Sequence, residues 1–157
     1  MNIRRLIPAL TLAAGLGLGQ AALAQEDAGP TLADLGQDQA LTAAFEKMAA
    51  GHEVPAWIRE GMVTTPSQKV SFGGKDYLAM TGCKQHDCAA NQVAMLYAPD
   101  SDKAYGVLSV HDGKGAELLT WLNIGGDAES IDGRTILYAA LTGSLANHPE
   151  AFDYPAE

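Results

Sequence analysis

Val70-Ser71-Phe72-Gly73-Gly74-Lys75-Asp76-Tyr77-Leu78-Ala79-Met80 reads as a β-hairpin. Val70 and Phe72 alternate with polar neighbours, Gly73-Gly74 is a tight two-residue turn signal, and an apolar run resumes at Tyr77. The same pattern continues downstream. Gln92-Val93-Ala94-Met95-Leu96-Tyr97 is ended by Pro99-Asp100, and Tyr105-Gly106-Val107-Leu108-Ser109-Val110 runs into the turn Asp112-Gly113-Lys114-Gly115. Leu118-Leu119-Thr120-Trp121-Leu122 is a further strand candidate. Connections this short join antiparallel neighbours, because a parallel crossover takes a dozen or more residues.

Helical patterns flank these strands. Leu41, Ala44, Phe45 and Met48 fall on one face of a helix that Asp38 can cap and that Gly51 can end in a left-handed conformation. Pro55-Ala56-Trp57-Ile58-Arg59 opens with proline at a first helical position and is stopped by Gly61. A last helix is expected from a cap at Asp132, with Ile136, Leu137, Ala140, Leu141 and Leu145 on its apolar face and Asn147-His148-Pro149 closing it. A strand over residues 135–139 is the competing reading. Residues 25–37, small and polar with Pro and Gly, are expected to be a mobile lead-in. Trp57 and Trp121 sit among apolar residues and are assigned to the core; His52 and His148 stand at helix ends, where a cation suits the dipole. The fold class is α+β, an antiparallel sheet with helices packed on it.

The first 24 residues have the form of a secretion signal rather than of a folded element. Arg4 and Arg5 precede an apolar run over residues 6–18, and Ala22-Leu23-Ala24 supplies the small-x-small pattern of a cleavage site. That run is shorter than the about 20 apolar residues a membrane span needs. Gln25, not a cysteine, stands directly after the cleavage site, so a lipid anchor is not suggested. Residues 25–157 then form a single domain destined for the bacterial periplasm or the exterior. Loss of Arg4 and Arg5 takes the formal net charge from −9 to −11. Such a chain is repelled by nucleic acid and by anionic membranes and is steered towards cationic partners, although plain solubility is a sufficient reason for the charge.

Within this frame one hexapeptide stands out, Cys83-Lys84-Gln85-His86-Asp87-Cys88, which contains both cysteines of the chain. In an oxidising compartment such a pair is expected to form a disulfide. The spacing is not that of a redox dithiol or a zinc knuckle, and a zinc site would need His52, His111 or His148 to converge on the loop. His86 and Asp87 could be half of a catalytic triad, but sequence neighbours rarely reach the orienting hydrogen bond, and no nucleophile elbow is present. A His-Glu-x-x-His motif, a phosphate loop and a dinucleotide fingerprint are also lacking, so no cofactor is implied. A solvent-exposed loop histidine is the plain alternative for His86.

With these residues the chain resembles the inhibitor of vertebrate lysozyme (Ivy) family, whose signature is a disulfide-closed Cys-Lys-Pro-His-Asp-Cys loop. Gly51-His52-Glu53-Val54-Pro55-Ala56-Trp57, Leu119-Thr120-Trp121-Leu122-Asn123, Ser130-Ile131-Asp132-Gly133 and Ala139-Ala140-Leu141-Thr142-Gly143-Ser144-Leu145 with Asn147-His148-Pro149 also resemble family segments. One position departs: Gln85 stands where the signature has proline. The resemblance implies a central antiparallel sheet flanked by helices with a protruding loop. It further implies a periplasmic protein that protects the bacterial cell wall by inhibiting C-type lysozyme. Cys83 and Cys88 would then be the disulfide, His86 the residue inserted into the enzyme's cleft, and Lys84, Gln85 and Asp87 the loop residues around it. Two other functions stay in view: regulation of the bacterium's own lytic transglycosylases through the same loop, and a small cell-wall glycan enzyme using His86 and Asp87. The partner expected is therefore a protein, with no nucleic acid and no membrane insertion, and a homodimer is left open.

Overall fold

The computed structural model describes residues 29–125 and 128–154; the expected secretion signal and its cleavage motif lie outside the described residues. Six antiparallel strands form one sheet: β1 (Met62–Thr64), β2 (Gln68–Phe72), β3 (Lys75–Lys84), β4 (Asn91–Ala98), β5 (Lys103–His111) and β6 (Glu117–Leu122). From β2 onward the sheet is a simple meander. The Gly73-Gly74 turn of its first hairpin has φ of 56° and 71°, the double positive φ that glycine supplies without steric conflict. Phe72 and Tyr77 stack beside that turn, their ring centroids 4.3 Å apart.

The long strand β3 carries two partners on one side. β2 pairs with its first half, and β1 pairs with its end, Met62 opposite Lys84 and Thr64 opposite Gly82. Strand β1 was not expected. Three residues give no periodicity to read, and its place is set by the non-local pairing with β3 rather than by its own sequence.

Both faces of the sheet are covered, which explains why β4 is apolar at successive positions instead of alternating. On one face α1 (Gln39–Ala49) packs Leu41, Ala44, Phe45 and Met48 against Met80, Val93, Met95 and Leu108. The Asp38 carboxylate accepts the Leu41 N–H at 3.0 Å, and Gly51 follows the helix at φ +83°. Gly106 lets the helix approach closely: a Cβ there would sit 2.8 Å from the Met48 sulfur. On the other face α3 (Ala128–Thr142) sets Ile136, Leu137, Ala139 and Leu141 over Phe72, Ala94, Leu96 and Val107. Trp57 and Trp121, each half-buried, pack against the first and second of these cores, as their apolar neighbours suggested. The α+β architecture is thus a sheet between two helical layers.

Three boundaries differ from the sequence reading. The short helix α2 (Trp57–Glu60) has Ala56 as its cap, so Pro55 stands ahead of the helix rather than at its first position. Helix α3 starts at Ala128, which places Asp132 inside it instead of at its cap, and the strand alternative over 135–139 is not realised. Gly143, at φ +78°, ends α3 and separates it from α4 (Ser144–Asn147). The expected lead-in is also partly wrong. Residues 32–34 form a 3-10 turn closed by a capping box, with the Thr31 N–H donating to the Asp34 carboxylate at 2.7 Å, and Leu32 is 1% exposed in the core.

Candidate functional site

The Cys83–Cys88 loop joins the ends of β3 and β4 at one edge of the sandwich. The disulfide is present, with Cα atoms 4.8 Å apart. From Lys84 the backbone makes a β-turn in which the Asp87 N–H donates to the Lys84 carbonyl at 2.9 Å. His86 occupies its third position at φ +64°, whereas Gln85 in the second has negative φ, and that combination defines a type II turn. A single helical turn follows: the Asp87 carbonyl accepts from the Ala90 and Asn91 N–H groups, both at 3.1 Å.

Asp87 is the staple of this loop. Its carboxylate accepts from Asn91 Nδ2 at 2.8 Å and pairs with Lys84 Nζ at 3.4 Å. The His111 N–H donates to the Ala90 carbonyl at 2.9 Å and ties the loop to β5. Asn91 was not singled out in the sequence; its spacing of four from an aspartate that opens a turn is the signal that could have found it.

The four loop residues therefore divide. Lys84 and the half-buried Asp87 hold the backbone, while Gln85 and His86 stand exposed at the tip. The His86 imidazole has no hydrogen-bond or ion-pair partner among the described residues, and Asp87 is turned to Lys84 and Asn91 rather than to it. The catalytic pairing of His86 with Asp87 is thus not formed. His52, His111 and His148 do not join the loop either. His111 faces Glu117 at 3.5 Å, and among the described residues no three His, Cys, Asp or Glu side chains gather as a metal site. A left-handed φ costs a non-glycine residue about 1–2 kcal/mol, although histidine tolerates it better than most. An unpartnered side chain on a strained backbone position is a feature of binding tips.

Two expected results follow from this geometry. Replacing Cys83 and Cys88 together by serine should lower stability by no more than about 2 kcal/mol, since the closed ring is small. Denaturant titration checks that, and free-thiol assay of the wild type should find none. Gln85→Pro should be accepted without strain. Proline favours the second position of a type II turn, and the β3 ladder ends at Lys84, so the Gln85 N–H is not a ladder donor. A gain of about 0.4–1 kcal/mol in stability is expected from the less flexible unfolded chain. A loss instead would show that Gln85 holds a contact of its own.

By class this is a layered α+β domain that presents a pre-ordered, disulfide-closed loop. Comparison with known sequences makes the class specific. The profile described as Inhibitor of vertebrate lysozyme (Ivy) matches residues 40–121. The chain is 43% identical over 147 residues to the inhibitor of vertebrate lysozyme of Escherichia coli strain K12, covering 93% of this chain and 92% of that one. The protein of that name in E. coli O157:H7 matches equally. An uncharacterised protein of Yersinia pestis is 32% identical over 80 residues, about half of each chain. The chain belongs to the Ivy family, one of enzyme inhibitors rather than enzymes.

Proposed function

We propose that this chain inhibits a C-type lysozyme by inserting the Cys83–Cys88 loop into the enzyme's substrate cleft, with His86 leading. The observation that carries the reading is the preformed tip. The disulfide, the type II turn and the Asp87 staple order the loop before any partner arrives, which removes most of the entropy that binding a flexible loop would lose. A retaining glycosidase holds its two carboxyl groups about 5–5.5 Å apart. An imidazole has a nitrogen on each of two opposite edges and can hydrogen-bond both carboxyl groups at once, where the scissile bond would otherwise lie. The excess of acidic residues complements a cationic enzyme and speeds encounter.

The reading includes a periplasmic location, reached after removal of residues 1–24, with residues 25–157 as one inhibitory domain. No helix among the described residues is long and apolar enough to cross a membrane. The test is a titration of purified protein against a C-type lysozyme acting on peptidoglycan. Stoichiometric loss of lysozyme activity is expected, with no glycan cleavage by the protein alone. Undiminished lysozyme activity at a large excess would end the proposal, and a parallel arm with a lytic transglycosylase shows whether the bacterium's own enzymes are the target.

A further inference from the structure

The exposed tip is small. Lys84, Gln85 and His86 are the loop residues open to solvent, whereas a stable protein complex usually buries about 800 Å² on each partner. A tight inhibitor therefore needs a second contact beside the loop.

One sheet row supplies it. Asn91 on β4 lies opposite Val110 on β5, and Val110 lies opposite Leu118 on β6. Alternation along β5 puts Val110 on the same face as buried Leu108, and alternation along β6 puts Leu118 on the same face as buried Leu122, both in the core that α1 covers. At this end of the sheet they are not covered: Val110 is 39% and Leu118 66% exposed. Leu118 is two strands from Asn91, roughly 10 Å by the usual interstrand spacing.

The shelf is also stiff. Glu117 accepts from Ser109 Oγ at 2.6 Å and from the Tyr138 hydroxyl at 3.2 Å, which pins the hairpin end to α3. The adjoining turn is fixed by Asp112, whose carboxylate accepts the Lys114 and Ala116 N–H groups at 2.7 and 3.1 Å. An apolar centre beside the charged turn residues Asp112 and Lys114 has the anatomy of an interface, while Glu117 on the opposite face braces it from behind.

We infer that Val110 and Leu118 form a second contact that packs against the lip of the same lysozyme's cleft while the loop fills it. This rests on the inhibitor reading above. Continuity with the loop, the area a stable complex needs, and the acidic balance of the chain facing a cationic enzyme all favour that occupant.

The experiment measures binding kinetics of the full domain with a C-type lysozyme for wild type, Leu118→Asp, Val110→Asp and the control Ile131→Asp. Ile131 is as exposed as Leu118 but lies at the far end of α3 from the loop. Each shelf variant is expected to bind about tenfold more weakly, mainly through faster dissociation, with the control unchanged. The result is diagnostic because an added carboxylate should speed encounter with a cationic partner. Thermal unfolding of each variant shows that the loss is not one of folding. Wild-type affinity in both shelf variants overturns the inference. So does a change in oligomeric state at unaltered lysozyme affinity, which would assign the shelf to a second copy of the chain. If the wild type itself binds no lysozyme, the inhibitor reading fails and the shelf contact fails with it.

Discussion

His86→Gly is expected to remove most of the inhibition while leaving the domain about as stable as before. The two effects separate because of the backbone at this position. At φ +64° glycine avoids the steric cost of a left-handed residue, and that gain offsets the extra entropy glycine loses on folding, so the net change in stability should stay within about 1 kcal/mol. The side chain has no hydrogen-bond or ion-pair partner among the described residues, so its removal breaks no such contact there. Its removal from a complex is different. If the imidazole is the buried centre of the interface, truncation should cost about 2 kcal/mol or more, roughly a 30-fold rise in the inhibition constant.

His86→Ala and His86→Asn sharpen the test. Alanine retains the left-handed strain and asparagine tolerates it, so the three variants differ in backbone freedom but share the lost imidazole. Equal losses of inhibition assign the effect to the side chain. A loss confined to His86→Gly would assign it to loop order, and full inhibition by all three would sink the cleft-insertion mechanism.

How much of this was legible in the sequence depends on the range of the forces involved. The β2–β3 hairpin, the α1 face and its Asp38 cap were readable because each is written in residues a few positions apart. The loop was readable because two cysteines bracket it. What the sequence hid is what distant partners decide. Strand β1 exists because β3 runs past β2 and offers it an edge. The start of α3 was misplaced because an aspartate four residues into a helix looks like a cap. The division of labour within the loop was hidden too. Asp87 has the residue type of a catalytic partner for His86, and only the positions of Asn91 and Lys84 show that it is a staple. Gln85 in place of proline leaves the loop ordered, because the turn is held by the Asp87–Lys84 hydrogen bond and by the disulfide as well.

The segment around Leu32 is the clearest case of composition misleading, and Leu32→Ala tests it. Small and polar neighbours suggest a mobile leader, yet Leu32 is 1% exposed and packs in the α1-side core with Met62 and Leu41. Its Cδ1 atom lies 3.5 Å from where a Cβ on Gly82 would be, one residue before the disulfide. Glycine at 82 is what allows Leu32 and Met62 to close over the root of the loop. Truncating a fully buried leucine should cost about 2–5 kcal/mol, read from denaturant unfolding. A loss below about 1 kcal/mol would return residues 31–35 to the status of a surface appendage, because an exposed leucine contributes little. Thr31→Ala should be milder, since it removes a cap worth about 0.5–2 kcal/mol and no core volume. The consequence for inhibition separates this site from the tip. Leu32 touches the loop's foundation and not its exposed face, so at temperatures where Leu32→Ala remains folded its inhibition constant should stay near wild type, in contrast to the His86 variants. Equal weakening by both substitutions would mean that packing at Gly82 sets the pose of the tip, and that the loop depends on the core below it as well as on its own disulfide.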